Sequence, residues 1–226
     1  MSRSELPTPD SVADEINRDF NLLDAAELGG PTIFRTWRSP QTTVVLGLSR
    51  NRQLEVDDEA CSHLGISVLR RASGGGTVVV GAGTLQYTFV LPYRLSPELA
   101  GIQESKALCN RLLIDALPAA CPTLVKRASI LTRKHTLPLV ADPSGDLIWE
   151  SKKIAGVALK RKKNAMLLHG TLLETADLQL IESVLRHPID EPTYRLGRAH
   201  CDFLANVGNV DAQSLEETIR GALARL

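Results

Sequence analysis

No apolar run among the 226 residues approaches the ~20 needed to cross a bilayer. The first residues, Met1 to Pro7, lack the apolar stretch of a secretory signal. No membrane partner is expected, and a cytoplasmic location is. Cysteine is sparse: residues 61, 109, 121 and 201 form no CxxC pair and no regular spacing. That argues against a disulfide framework or a regular zinc motif, and suits thiols kept reduced. Net charge is absent as well, with 26 basic and 26 acidic residues. A polyanion such as nucleic acid is therefore not an expected partner of the chain as a whole. There is no internal repeat, no GxxxxGK[ST], and Gly81-Ala82-Gly83 lacks the last glycine of a dinucleotide fingerprint.

What is present is ordinary globular composition, 43% hydrophobic and 23% charged, enough for one domain over residues 1–226. The charge is unevenly placed. Residues 126–163 hold ten Lys/Arg against three Asp/Glu, whereas residues 1–30 hold seven acidic and two basic. That asymmetry suggests an anionic ligand or partner near the middle of the chain.

The periodicities predict a mixture without βαβ regularity. Thr8-Pro9 opens a helix whose apolar face is Val12, Ile16, Phe20 and Leu23, stopped at Gly29-Gly30. Strands are expected at 32–37, 43–46 and 66–69, with a short helix at 56–64. Strict alternation over 85–91 predicts a half-buried antiparallel strand. Ser96-Pro97 caps a helix carrying Leu99, Ile102, Cys109, Leu113 and Leu117, broken over 118–122; Cys109 reads as core. Short strands and loops fill 123–149. A hairpin of 152–159 and 165–173 turns in the basic run 160–164. A helix over 176–186 follows, and a last helix begins at a Ser214/Glu217 capping box. The fold class is α+β, a largely antiparallel sheet with helices packed on one side.

Three stretches carry chemistry. In Arg70-Arg71-Ala72-Ser73-Gly74-Gly75-Gly76-Thr77-Val78, glycines allow close backbone approach to a ligand and the arginines offer forked donors for an anion. The plain alternative is a flexible hairpin loop. Lys152-Lys153-Ile154-Ala155-Gly156 starts a strand whose lysine can project into a cleft, with Gly156 leaving room; a solvated strand-end lysine is the alternative. His169-Gly170-Thr171 is either a ligand contact or a satisfied, half-buried histidine. The basic run 160–163 is a solvated turn or a docking face for an acidic partner.

Together these stretches resemble the lipoate–protein ligase A family of the biotin/lipoate ligase superfamily. The motif RRxSGGG[AT]V matches Arg70 to Val78, [RK]KI[SA]GxA matches Lys152 to Ala158, and HGT[LI]L matches His169 to Leu173, in family order. Weaker likeness covers Phe34 to Asn51 and Tyr194-Arg195. The resemblance implies a class II biotin/lipoyl-synthetase-like fold with a catalytic core of about residues 30–205, and no C-terminal accessory domain. It implies an enzyme that joins lipoate or octanoate to AMP using ATP, with Mg²⁺, and then transfers the acyl group to a lysine of an acidic lipoyl-acceptor domain. Lys153 is the implied catalytic residue. Arg71, Gly76, Thr77, Val78, Val79, Asp146 and Lys153 are implied for ATP or adenylate. Arg70, Ser73, Gly74, Gly75, Leu85, Tyr87, Lys153, Gly156, His169 and Gly170 are implied for lipoate, with Leu168 as a further wall. No metal ligand is assigned.

The chain departs from the ligase pattern after Val79. Val80-Gly81 and Gly83-Thr84 stand where many ligases carry His-Asp and Gly-Asn, and Gly81 to Tyr87 is closer to the HGPGQ segment of octanoyltransferases. The alternative is thus an octanoyl or lipoyl transferase forming a Cys thioester without ATP. Leu139 stands near where one such group places its cysteine, and Cys201-Asp202 does not reproduce the Cys-Gly of the other. Biotin ligation is disfavoured by the glycine motif and the absence of a KWPND-like segment. A binding module without turnover, and a need for a separate accessory chain, stay open.

Overall fold

The computed structural model describes residues 11–124, 126, 139–142, 144–187 and 191–226. Helix α1 (Val12–Glu27) begins with a capping box in which Ser11 and Asp14 satisfy each other's backbone N–H groups. The cap expected at Thr8-Pro9 lies outside the described residues. Strand β1 (Ile33–Trp37) leads to β2 (Thr43–Leu46). A one-turn helix the pattern did not predict, α2 (Arg52–Glu55), precedes α3 (Asp58–His63), the helix expected over 56–64. Between them Val56 is extended and bridges Leu185. Strands β3 (Ser67–Arg70), β4 (Val78–Val80) and β5 (Thr84–Pro92) follow.

Ser96 caps a 3₁₀ turn, Pro97–Ala100, and α4 (Ile102–Ala120) starts only beyond Gly101. The break expected over 118–122 comes late, because α4 runs through Pro118 before ending at Ala120. Short strands β6 (Leu139–Ala141) and β7 (Leu147–Trp149) precede the hairpin of β8 (Lys152–Arg161) and β9 (Ala165–Leu173). Its turn is tighter than expected, since Lys160 and Arg161 still belong to β8. Helices α5 (Leu178–Val184), α6 (His200–Phe203) and α7 (Ala212–Leu223) complete the chain. The cap of α7 is Asp211, which accepts from the amides of Gln213 and Ser214, so Ser214 lies inside the helix instead of capping it.

The large sheet has the order β1-β5-β9-β8-β7-β6 and is antiparallel throughout. A smaller sheet, β3-β2-β4, contains one parallel pair, β2 with β3. Leu85, Tyr87, Phe89 and Leu91 of β5 enter one core with Leu113 and Leu117 of α4 and Ile219 of α7. On the opposite face Val90 and Leu167 pack against Leu23 and Ala26 of α1. All nine residues of β5 are therefore buried, not every second one. Alternation marked two faces correctly, but α1 seals the polar face that the pattern assigned to water. The smaller sheet is sandwiched in the same way, Val44 and Leu46 against α5 and α6 and Val45 against α1. Part of the charge asymmetry is satisfied internally: Lys162 in the hairpin turn pairs with Asp24 of α1, and Asn164 N–H donates to Glu27.

Candidate active site

The glycine loop joins β3 to β4 and lies across β8. Arg71 is buried and turned onto its own loop, where Nη2 donates to Gly74 O at 2.8 Å and Gly76 O at 2.6 Å, and Nη1 to Val45 O at 3.2 Å. Burial lowers its pKa to about 10, well above neutrality, so the guanidinium stays charged. Gly75 has φ +87°, and a Cβ there would lie 2.9 Å from Arg71 Nη2 and 3.1 Å from Val157 O, so only glycine fits. Gly76 differs: nothing lies within 4 Å of its missing Cβ, and it lines the cavity described below.

Beneath the loop runs a buried polar chain that connects α1 to both sheets. Arg35 Nη1 donates to Asp19 Oδ1 at 2.8 Å and Thr88 Oγ1 donates to Asp19 Oδ2 at 2.8 Å. His169 Nδ1 faces Asp19 Oδ2 at 3.7 Å, and its Nε2 meets Ser73 Oγ at 2.6 Å. Burial lowers the His169 pKa, which keeps the ring neutral at physiological pH. With the proton on Nδ1, Nε2 accepts from the Ser73 hydroxyl, which in turn accepts from Arg71 Nε at 3.1 Å. His169 thus fastens the glycine loop to the sheet while one edge of its ring lines the cavity.

Lys153 is no solvated strand end. Its ammonium lies 2.9 Å from Asp146 Oδ1, and Tyr194 OH donates to Asp146 Oδ2 at 2.7 Å. Burial and the Asp146 charge raise the Tyr194 pKa far above its ordinary value, so the phenol remains a donor. Gly156 leaves room for Lys153 itself: a Cβ at 156 would lie 2.8 Å from Nζ. Gly170 makes room for Tyr87, whose hydroxyl would be 2.3 Å from a Cβ at 170. Two glycines of the strand motifs therefore shape side chains of the protein, which spacing alone could not distinguish from ligand room.

These groups surround a cavity of about 490 Å³, within the size range of small-molecule sites. Arg71, Gly75, Gly76, Thr77, Val78, Val79, Tyr87, Asp146, Lys153, Gly156, His169 and Gly170 line it. The structure does not bring Arg70, Ser73, Gly74, Leu85 or Leu168 to its lining. Arg70 instead donates to the carbonyls of Gly47, Leu48 and Arg50, and Leu85 and Leu168 sit in the main core. The apolar wall is made elsewhere, by Ile16 of α1, Trp37, Val45 and Ala158. Sequence reading gave no site role to these residues, nor to Asp19, Arg50, Glu55, Lys106, Arg186, Arg195 and His200: Ala158 closes the lysine motif and Trp37, Val45, Arg50 and Arg195 fall within the weaker likeness, while the others belong to no motif and arrive from distant elements.

Among the described residues the lining holds six Lys/Arg (50, 71, 106, 153, 186, 195) and three Asp/Glu (19, 55, 146). A neutral chain thus builds a cationic cavity, suited to an anion. Arg195 is 3% exposed with its Nη2 unpartnered, and Trp37 Nε1 is likewise a buried donor without a partner. Such donors at a cavity wall gain most from a ligand that accepts hydrogen bonds. None of the four cysteines, all described, lines the cavity; 61, 109 and 121 are buried, and burial raises the Cys109 thiol beyond reach of ionisation near neutrality. The Gly81-Ala82-Gly83 segment, where the motifs depart from the ligase pattern, is a turn that accepts from the amides of Glu174 and Thr175 and does not line the cavity. No described helix is long and apolar enough to cross a membrane.

The chain is similar to several known proteins. The chain is 28% identical over 224 residues to "Lipoate-protein ligase A subunit 1" of Thermoplasma acidophilum, covering 97% of this chain and 80% of that one. It is also 28% identical over 191 residues to "Octanoyltransferase LipM" of Geobacillus kaustophilus, covering 80% and 68%. A T. acidophilum protein solved with bound lipoic acid superposes at a TM-score of 0.66 and 20% identity, covering 96% of this chain and 82% of that one. The T. acidophilum bi-partite lipoate protein ligase, described with its E2 lipoyl domain, has the same fold at TM-score 0.58 and 22% identity, covering 92% and 78%. So does a lipoate-protein ligase A bound with ATP, at 0.56 and 23%, covering 92% and 78%. Over residues 14–222, a span that contains every residue lining the cavity, the chain belongs to the lipoyl protein ligase A/B catalytic domain family.

Proposed function

We propose that this chain is an ATP-dependent lipoate–protein ligase. A lipoate or octanoate carboxylate attacks the α-phosphate of ATP, pyrophosphate leaves, and the acyl-adenylate stays in the cavity. The ε-amine of a lysine on a lipoyl-acceptor domain then attacks the acyl carbon and AMP leaves. The observation that carries this reading is a cationic cavity around Lys153 with no thiol on its lining. Lys153, held by Asp146, which Tyr194 fixes in turn, is placed to exchange its carboxylate partner for the substrate carboxylate and to offset charge developing on the phosphate. Gly76, Thr77, Val78 and Val79 border the adenylate, while the acyl tail lies on Ile16, Trp37 and Val45. Arg71 acts by keeping the glycine loop in shape, and the free donor of Arg195 is available to an anionic oxygen. Mg²⁺ prefers oxygen ligands and retains water. Asp146 would supply one carboxylate oxygen to it, with the remainder from phosphate and water.

The test is to incubate the pure chain with ATP, lipoate and a lipoyl domain. AMP, pyrophosphate and the acyl mass shift on the domain are expected, and all three disappear with Lys153→Ala. The likeness to an octanoyltransferase supports a second reading, acyl transfer through a thioester on Cys201 or Cys121. An octanoyl mass adduct on either cysteine, formed without ATP, would establish that route instead.

A further inference from the structure

One group of histidine and carboxylate side chains capable of holding a metal lies among the described residues, at the edge of the Lys153 cavity that His200 lines: Glu182, His187 and His200. It joins α5, the segment after it and α6. His187 Nε2 is 3.4 Å from Glu182 Oε1, and His200 Nδ1 is 3.5 Å from Glu182 Oε2. All three ligand atoms fall within 4.8 Å of one another. A tetrahedral zinc ion with ligand bonds of 2.0–2.2 Å sets its ligands about 3.3 to 3.6 Å apart, close to the two histidine–carboxylate separations. His200 is 7% exposed, and its Nδ1 is buried without a hydrogen bond of normal geometry. That ring nitrogen faces the Glu182 carboxylate, and the His187 ligand nitrogen lies within 4.8 Å of it. The Cys201 N–H donates to Glu182 Oε2 at 3.1 Å and orients the carboxylate, as outer-shell partners of metal ligands do.

We propose that Glu182, His187 and His200 form a transition-metal site that takes Zn²⁺, with a fourth position left to water. Two imidazoles and one carboxylate favour Zn²⁺ over Mg²⁺ or Ca²⁺, which prefer oxygen alone. The site differs from the hard-cation position beside Asp146 in place and in donor type. Leu185 and Arg186 line one wall of the cavity, Phe203 and Leu204 another, and the metal clips the two together at the rim. The Arg195 charge acts on His200, and the Glu182 carboxylate opposes it.

The experiment uses the full chain without a histidine tag, stripped with chelator and titrated with Co²⁺ and then Zn²⁺. One Co²⁺ per chain is expected, with the visible ligand-field bands of a four- or five-coordinate ion that Zn²⁺ abolishes. Glu182→Gln and His187→Ala should each weaken binding by about 100-fold or more, since losing even an outer-shell partner costs 10- to 100-fold. His187 is half exposed, so its loss leaves the fold intact, and thermal melting of that variant without metal checks this. Zn²⁺ should raise the melting temperature of the parent and not of His187→Ala. His63→Ala, an exposed histidine elsewhere, should bind as the parent does. Absence of a stoichiometric site, or parental affinity in the folded His187→Ala chain, overturns the proposal. Neither result bears on adenylation, which is read separately by AMP release.

Discussion

Replacing Gly156 by alanine separates the catalytic use of Lys153 from its structural setting. The new Cβ would lie 2.8 Å from Lys153 Nζ and 2.9 Å from its Cε, while ordinary contact begins at 3.4 Å, so Nζ must retreat by at least 0.6 Å. The crowded atom is the far end of a flexible side chain, and Gly156 has no positive φ to strain. Alanine also restricts the unfolded chain more than glycine does, an effect worth about 0.5–1 kcal/mol in favour of the variant. Stability should therefore change by less than about 1 kcal/mol. Misplacement of a reacting group by about 1 Å costs on the order of 100-fold, or about 2.7 kcal/mol of transition-state stabilisation. We expect acyl-AMP formation to fall between ten- and a hundred-fold, measured as lipoate-dependent pyrophosphate release, with urea stability within about 1 kcal/mol of the parent. A variant that is equally stable and within threefold of parental activity would refute the placement of Lys153 at the reacting centre.

Ser73→Ala leaves His169 Nε2 buried without its partner, and the expected loss is roughly 1–3 kcal/mol in urea unfolding, with the glycine loop loosened as well. The pH dependence follows from His169, whose folded pKa lies below its ordinary 6.5 because of burial. The unfolded chain then binds the proton first, so the stability due to this group is present above about pH 6.5 and is lost as pH falls toward the folded value. His169→Asn should flatten that acid limb in unfolding curves recorded between pH 7 and pH 5; an unaltered slope would show that His169 is not its source.

Individual elements show what could be read from residue order. The β8–β9 hairpin, the apolar face of α1 and most of that of α4 follow from alternation and helical spacing, which are local; Leu99 instead sits in the preceding 3₁₀ turn, and Ile102, at the first turn of α4, is exposed. The cap of α7 was assigned three residues late because Ser214/Glu217 matches a capping pattern, yet Asp211 offers a carboxylate to two amides and wins. Strand β5 was expected to be half wet because its Gln86 and Thr88 are polar. Both are buried: Gln86 accepts from Thr171 Oγ1 and Thr88 donates to Asp19. Polarity in a strand marks a face, but whether a helix covers that face depends on where α1 returns.

By itself the sequence determined the family, the antiparallel α+β class and three motifs whose order placed Lys153, Gly76 and His169 at one site. Those signals survive without coordinates because spacing along a strand or turn dictates which groups can meet. Only the tertiary structure decided that Arg71 braces the loop, that Arg70 and Leu85 stay away from the cavity, and that Gly156 accommodates Lys153. It alone brought Asp19, Arg195 and His200 to the cavity wall, from positions far apart in the chain. The reason is packing: a side chain's partner is set by which backbone lies across it, and residue order does not encode that, whether the partner is three positions away, as for Gly156 and Lys153, or 150, as for Asp19 and His169.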